Sequence, residues 1–353
     1  MYKKIRLGLC CHCLDLKYNY NVFTGRSIKL DTIKKFGISK LIEVANKNLD
    51  DLVKVLEWCV EHGIYVYRIS SDIIPHASNP KLLQLDPIDK YKSYMLLTPF
   101  TEKLQNIGKI ISKLDIRVTF HPGQYNQIGT PTEKVFNNTI LDLHYHATFL
   151  DLLGSPKDSI IIVHGGGTYK NKELTLERWV KQYKLLPDNI KKYLVIENDE
   201  TCYSANDLIT LAKKINVPFL FDVFHNECYI KYHKIKQSRK ELDYIIKESL
   251  KLWKTHDKRP KFHLSEQGTG CLGSHSTIIK KIPKYLLDIP KKYNIDIDIM
   301  LEAKGKEVAM AHLLKKYPKL KSKDSKEIPD KIPYKAKKDI KIDDDSILCA
   351  KIK

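Results

Sequence analysis

Short apolar runs alternate with amphipathic stretches along most of the chain. The runs are rich in β-branched and aromatic residues, and several contain almost no polar position. Such continuous runs are typical of parallel strands that are buried on both faces. The pattern predicts eight strands, at Ile5–Cys10, Ile64–Ile69, Ile116–Phe120, Ile160–Val163, Tyr193–Ile196, Pro218–Val223, Phe262–Leu264 and Ile295–Leu301.

The stretches between the runs have helical spacing. Asn48–Asp51 resembles a capping box, so we expect a helix to begin there and to end before Gly63. Its buried face would carry Leu52, Val53, Leu56, Cys59 and Val60. Eight strands alternating with helices predict an α/β fold, a single (β/α)8 TIM barrel. A doubly wound open sheet is the alternative, but no glycine-rich phosphate-binding fingerprint follows the first strand.

The pattern changes near the end of the 353-residue chain. Residues 315–353 contain 13 Lys, seven acidic residues, three Pro and no Gly. We therefore predict a barrel domain at residues 1–314 and a basic, mobile C-terminal extension at residues 315–353. The extension either contacts a polyanion or only increases solubility.

The net charge of +19 favours polyanionic partners but does not establish nucleic-acid binding. Only seven of the 61 basic residues are Arg, and the abundance of Lys, Ile, Asn and Tyr is what an A/T-rich coding sequence produces. No apolar run reaches the roughly 18 residues of a membrane helix, and the charged start does not fit a signal peptide. We therefore expect an intracellular protein, in the cytoplasm or nucleus, without membrane contact.

The eight cysteines are mostly scattered, which predicts reduced thiols rather than a disulfide framework. The cluster Cys10–Cys13 contains three of them and a histidine. Structural zinc sites favour two cysteines separated by two residues and a second such pair elsewhere. Cys10 and Cys13 have the first feature, but the sequence has no second pair of this kind, so packing at a strand end is the better interpretation than a zinc site.

Side chains that can bind a divalent cation lie at or near the carboxyl ends of six predicted strands. In a (β/α)8 barrel these ends meet on one face, so the side chains would share one pocket. A lone histidine there is usually a hydrogen-bonded core residue, and a lone aspartate usually caps a helix. The whole set instead favours a metal cluster with nitrogen and oxygen ligands, which suits manganese, iron or zinc. Its members are His121, His164, Glu197, Asp222, His225, His263 and Glu302, with His275 on a following loop.

Nine short motifs occur in order between about Ile5 and His312. They are RLG at 6–8, YRISSDIIPHAS at 67–78, FHPGQY at 120–125, VHGGG at 163–167, IEND at 196–199, DVFH at 222–225, KFHLS at 261–265, GSHS at 273–276 and MLEAKGKE at 300–307. With these motifs the sequence resembles the UV damage endonucleases, relatives of endonuclease IV among the divalent-metal TIM barrels. The resemblance implies a metal-dependent DNA repair enzyme. It would nick damaged double-stranded DNA immediately 5′ to pyrimidine dimers and related lesions, leaving a 3′-hydroxyl and a 5′-phosphate.

The resemblance also implies three divalent ions per chain, with Mn²⁺ expected first and Zn²⁺, Fe²⁺, Mg²⁺ or Co²⁺ as alternatives. Glu197 would bridge two of these ions. The implied ligand sets are His121, His164 and Glu197 for the first ion, Glu197, Asp222, His263 and Glu302 for the second, and His225 and His275 for the third.

Further roles follow from the same resemblance. Glu197, Lys261 and His76 are the catalytic candidates. His76 would contact phosphate or support a ligand, and Lys261 would be carboxylated or turned away, because an ammonium repels cations. Gln124 and Tyr125 would probe the duplex for lesions, since insertion costs less where stacking is already weakened.

Three other functions stay open at this point. One is an abasic-site endonuclease of the endonuclease IV type, and another is a sugar isomerase on the same metal-binding barrel. A non-enzymatic basic DNA-binding protein is the third, but it would leave the ligand set without a purpose. We expect a monomer.

Overall fold

Eight parallel strands close into a barrel in the computed structural model, which describes residues 4–83 and 97–349. Each strand pairs with the next in sequence, and β1 pairs with β8 through four residue pairs from Ile5↔Ile297 to Gly8↔Met300. The prediction of a (β/α)8 TIM barrel is therefore confirmed. The strands are β1 (Ile5–Cys10), β2 (Val66–Arg68), β3 (Arg117–Phe120), β4 (Ile160–His164), β5 (Leu194–Glu197), β6 (Phe219–Asp222), β7 (Lys261–Leu264) and β8 (Ile297–Leu301).

Helices cover the outside of the barrel. The described residues also include short 3₁₀ helices at Thr98–Phe100, Pro318–Leu320, Tyr334–Lys338 and Asp345–Ile347. The α-helices are α1 (Leu14–Tyr20), α2 (Leu30–Phe36), α3 (Ile38–Glu61), α4 (Pro80–Leu83), α5 (Thr101–Leu114), α6 (Glu133–Leu152), α7 (Lys172–Leu185), α8 (Asp188–Tyr193), α9 (Ala205–Ile215), α10 (Val223–Tyr232), α11 (Arg239–Thr255), α12 (Lys284–Tyr293) and α13 (Lys306–Lys316).

The predicted start of one helix is wrong. Helix α3 begins at Ile38, so Asn48 lies inside it instead of capping it. The Asn48 side chain is buried, and its amide nitrogen donates to the carbonyls of Arg26 (3.0 Å) and Ile73 (2.9 Å). Contacts with distant backbone groups therefore satisfy this side chain, which the local sequence pattern could not indicate.

The described part of the C-terminal extension packs on the barrel. Ile332, Ala336 and Ile347 are buried in one cluster with Leu14 of α1 and Val308 of α13. The boundary predicted after residue 314 also falls inside α13. A few apolar residues among the lysines thus hold these residues against the barrel, and a separate role for the extension stays a prediction.

None of the helices within residues 4–83 and 97–349 combines the length and the apolar character that crossing a membrane requires.

A buried charge network closes the amino-terminal end of the barrel. Asp298 of β8 is fully buried and accepts hydrogen bonds from Arg6 Nε (2.8 Å) and Arg117 Nη1 (2.7 Å). Arg259 Nε lies 2.7 Å from the same carboxylate. Burial alone raises the pKa of Asp298, but the surrounding arginines hold it below the ordinary value. One carboxylate therefore joins three arginines from separate parts of the chain.

We expect Asp298→Asn to destabilise the fold by about 3 kcal/mol, because it leaves buried guanidinium groups without their anion. The measurement is the urea unfolding midpoint followed by circular dichroism. The matched control is Asp288→Asn, which removes a surface pair with Lys284 and should cost at most about 1 kcal/mol. Equal shifts for both variants would contradict the central role of Asp298.

Candidate metal centre

The candidate ligands gather on the carboxyl-terminal face of the barrel. Glu197 and Asp222 end β5 and β6, and His164 and His263 lie in β4 and β7. His121 and Glu302 directly follow β3 and β8, His225 lies in the first turn of α10, and His275 lies on the loop between β7 and α12. Seven of the eight form three groups whose ligand atoms lie within 4.8 Å of one another. These groups are His121, His164 and Glu197; His121, His263 and Glu302; and Glu197, Asp222 and His225.

Glu197 occupies the middle of this arrangement. Its carboxylate is fully buried, with Oε2 2.8 Å from His121 Nε2 and Oε1 2.7 Å from His263 Nδ1. His164 Nε2 lies 4.0 Å from Oε2. Burial and the charge of Asp222 raise the pKa of Glu197 well above its usual range. Glu197 thus faces the imidazoles of His121, His164 and His263 with its two carboxylate oxygens.

The two carboxylate oxygens of Asp222 differ in their hydrogen bonding. It is the N-cap of α10, and its Oδ1 accepts a hydrogen bond from the backbone amide of His225 (2.7 Å). Asn198 also fixes Asp222, because its side-chain amide pairs with both backbone groups of that residue at 2.9 Å. Burial lowers the pKa of His225, but the charges of Asp222 and Glu197 raise it to about 10. Helix capping therefore orients Asp222, and its Oδ2 accepts no hydrogen bond from the described residues.

Three buried atoms of the centre have no hydrogen-bond partner within the part of the chain that the structure describes. They are His164 Nδ1, Asp222 Oδ2 and His263 Nε2. Buried polar atoms normally have a hydrogen-bond partner, so three such atoms without one in a single cluster need an explanation. Imidazole nitrogens and carboxylate oxygens are a donor set that suits divalent transition metals. The residues present therefore fit divalent cations.

The groups divide the ligands differently from the implied metal sets. The first group matches the first set, but His263 and Glu302 lie with His121, whereas Asp222 lies with His225 and Glu197. His275 belongs to none of the three groups that the described residues form, and its Nε2 lies 3.9 Å from Glu302 Oε2.

Arg68 at the end of β2 is a polar neighbour of the centre that the sequence reasoning left unassigned. Its Nη1 contacts Glu302 Oε1, and its Nη2 contacts Cys10 Sγ. Burial alone raises the pKa of Glu302, but the Arg68 charge holds it well below the usual range. The available signal was a guanidinium at the end of an apolar run, which is a costly position without an anionic partner.

Lys261 hydrogen-bonds inside the barrel. Its fully buried amine donates to Thr119 Oγ1 at 2.8 Å. Burial and the charge of Arg117 lower the pKa of Lys261 to about 7. Carboxylation of this lysine stays a prediction.

His76 is committed to neighbours outside the ligand set. Its Nε2 lies 2.7 Å from the carbonyl oxygen of Ile28, and its Nδ1 lies 3.0 Å from the Asn79 side-chain amide. The structure therefore does not bring His76 into the three ligand groups, and its catalytic role stays a prediction.

The loop after β3 presents Gln124 and Tyr125 to solvent. Tyr125 is 82% exposed, the largest value among the exposed large apolar side chains described. The next residue, Asn126, is buried and donates to the Gly123 carbonyl (3.0 Å) and to Asp142 (2.7 Å). The hydrogen bonds of Asn126 thus anchor the loop that exposes the Tyr125 ring beside the candidate ligand His121.

The family model and the related sequences agree on one family. The family model described as UV-endonuclease UvdE matches residues 5–335. A putative UV-damage endonuclease of Acanthamoeba polyphaga mimivirus is 38% identical over 316 residues, covering 89% of this chain and 91% of that protein. A UV DNA damage endonuclease of Clostridium perfringens is 38% identical, covering 86% of this chain and 69% of that protein.

A solved structure agrees with these sequence matches. The crystal structure titled SacUVDE has a TM-score of 0.71 and 30% identity, covering 90% of this chain and 99% of that one. The resemblance drawn from the nine motifs is confirmed. The chain belongs to the UV-endonuclease UvdE family.

Proposed function

We propose that this protein is a UV damage endonuclease. It hydrolyses a phosphodiester bond of duplex DNA immediately 5′ to a photolesion and leaves a 3′-hydroxyl and a 5′-phosphate. The observation that carries the proposal is the buried Glu197 carboxylate, shared by two ligand groups next to the exposed loop of Tyr125. The names of the related proteins support the same activity.

The metal part of the proposal is a centre of three divalent cations, with Mn²⁺ as the first choice, held by the eight candidate ligands. When bound, such ions would activate a water molecule and stabilise charge on the scissile phosphate. Glu197 would be the shared ligand, because its Oε2 faces His121 and its Oε1 faces His263. His275 supports this centre from its loop, 3.9 Å from Glu302.

The surrounding residues hold the ligands before substrate arrives. The α10 cap fixes Asp222, and Arg68 keeps Glu302 ionised. Preorganised charge is effective in catalysis because no reorganisation is needed when the reaction occurs. With cations bound, the centre would favour chemistry on a group that is itself anionic, such as a DNA phosphate.

Lesion recognition is assigned to Gln124 and Tyr125. Tyr125 offers an exposed ring on an anchored loop, so it can stack in the space that a displaced nucleotide leaves. Damaged steps have weaker stacking, and insertion there costs less than in intact DNA.

Removal of divalent cations is expected to abolish nicking of UV-irradiated supercoiled plasmid, and Mn²⁺ is expected to restore it. Cation binding should also raise the melting temperature, because it satisfies His164, Asp222 and His263 only in the folded chain. At about 100 times the Kd, the stabilisation amounts to about 2.7 kcal/mol. Nicking that persists in EDTA would contradict the metal centre.

Glu197→Gln is expected to lower the nicking rate by roughly 100-fold or more, since it removes the charge of the shared ligand. Binding of duplex DNA, measured by fluorescence anisotropy, should change little. Glu173→Gln is the matched control, because Glu173 is exposed on α7. Full activity of the Glu197 variant would refute the bridging role.

Tyr125→Ala is expected to reduce the preference for UV-irradiated over intact DNA by roughly tenfold, the size of one lost stacking contact. Tyr244→Ala is the control, because Tyr244 is 48% exposed on α11, outside the strand ends. Equal losses on both substrates would count against the probing role.

An abasic plasmid in the same assay tests the endonuclease IV-type alternative, which predicts faster nicking of that substrate than of irradiated DNA.

A further inference from the structure

Two adjacent thiols lie at the carboxyl end of β1, close to the candidate metal centre. Cys10 is buried, Cys11 is half-buried, and both are reduced. The Cys10 thiol donates to Cys11 Sγ, and the two sulfurs are 3.8 Å apart. Neither residue belongs to a ligand group among the described residues. The pair therefore has no part in the proposed reaction.

The backbone at Cys11 explains why the two sulfurs meet. Successive side chains of a strand normally point to opposite faces, which would keep the sulfurs apart. Cys11 instead has φ of 64°, a left-handed conformation that is uncommon for residues other than glycine. Hydrogen bonds hold it there, since the Tyr67 hydroxyl donates to the Cys11 carbonyl (2.8 Å) and the Cys11 amide donates to the Arg68 carbonyl (2.9 Å).

Arg68 links this pair to the metal centre. One nitrogen of its guanidinium contacts Cys10 Sγ, and another contacts Glu302. A cation beside a thiol stabilises the thiolate, which is the nucleophilic form. Because Cys10 donates its proton to Cys11, that hydrogen bond raises the pKa of Cys10 and, with the charge of Arg68, lowers the pKa of Cys11 to about 5 against the effect of burial.

We propose that Cys10 and Cys11 form a reversible oxidation site that takes a peroxide as oxidant. The Cys11 thiolate attacks one oxygen of hydrogen peroxide, which breaks the O–O bond and yields a sulfenic acid and, after protonation of the leaving hydroxide, one water. The Cys10 sulfur then displaces the hydroxyl from Cys11 Sγ and loses its proton, which forms the disulfide and a second water. The dithiol is oxidised by two electrons, and the peroxide is reduced to two waters.

Disulfide formation also changes the partner of Arg68. Oxidation replaces the negative charge of the Cys11 thiolate with a neutral disulfide, and the Cys10 sulfur that Arg68 contacts must move toward Cys11 to form the bond. The guanidinium that orients Glu302 then loses one of its two contacts. We expect oxidation to lower nicking, a consequence that rests on the proposed function.

Peptide mapping of the reduced full-length protein after hydrogen peroxide treatment tests the site without reference to activity. Remaining thiols are alkylated, and the tryptic peptide 7–17 is analysed by mass spectrometry. We expect this peptide to lose two hydrogens and to carry one alkyl group, on the buried Cys13, instead of three. A reducing agent should restore all three. The proposal is wrong if Cys10 and Cys11 both stay alkylatable at doses that oxidise the exposed Cys271 and Cys349.

Three variants separate the steps. In Cys10→Ser the sulfenic acid on Cys11 should persist and be trapped by dimedone, whereas in Cys11→Ser the buried Cys10 should stay reduced. Cys271→Ser is the matched control and should behave like the wild type at peptide 7–17. Oxidation of Cys10 in the Cys11→Ser variant would overturn the assignment of Cys11 as the attacking thiol.

A nicking assay on the same samples tests the link to the metal centre. Nicking by the wild type should fall on oxidation and return on reduction, whereas Cys11→Ser should be unaffected by peroxide. Unchanged nicking by fully oxidised wild type would overturn this link. If the reduced protein does not nick irradiated DNA at all, the proposed function fails, and the mass measurements still decide the oxidation site.

Discussion

Closure of the barrel between β1 and β8 is the constraint on which the candidate site depends. The candidate ligands span residues 121–302, and no local segment could gather them. Once β1 pairs with β8, every strand has two neighbours and the strand ends form a ring. Side chains at those ends then point toward one axis, so Glu197 meets imidazoles from β3, β4 and β7 through strand geometry alone.

The two ends of the barrel differ in the partners of their buried polar groups. At the amino-terminal end, guanidinium nitrogens of three arginines lie 2.7–2.8 Å from the Asp298 carboxylate. At the carboxyl-terminal end, Asp222 Oδ2 and two imidazole nitrogens lack partners in the described part of the chain. Removing one partner of the first arrangement would leave buried charges unpaired, which is costly, whereas the unpaired donor atoms of the second suit an external cation.

Residues around the site are held in place by hydrogen bonds and contacts to buried neighbours. Asn126 ties the loop after β3 to Asp142 of α6, and Tyr125 then projects into solvent. Arg68 similarly holds Glu302 from one side and contacts Cys10 from the other. Fixed neighbours thus position Tyr125 and Cys10, although neither belongs to the ligand groups that the described residues form.

The sequence by itself determined the strand order, the barrel and the identity of the candidate ligands. The sequence signals for these features are local. A buried strand appears as an apolar run, and a candidate ligand such as His164 or Glu197 lies directly at its end. It could not determine which ligands share a group, that Asn48 lies inside a long helix, or that His76 contacts Ile28 instead of the cluster. Such outcomes depend on side-chain direction and on contacts between residues far apart in the chain. Only the closed barrel sets those distances, so only the tertiary structure decided them.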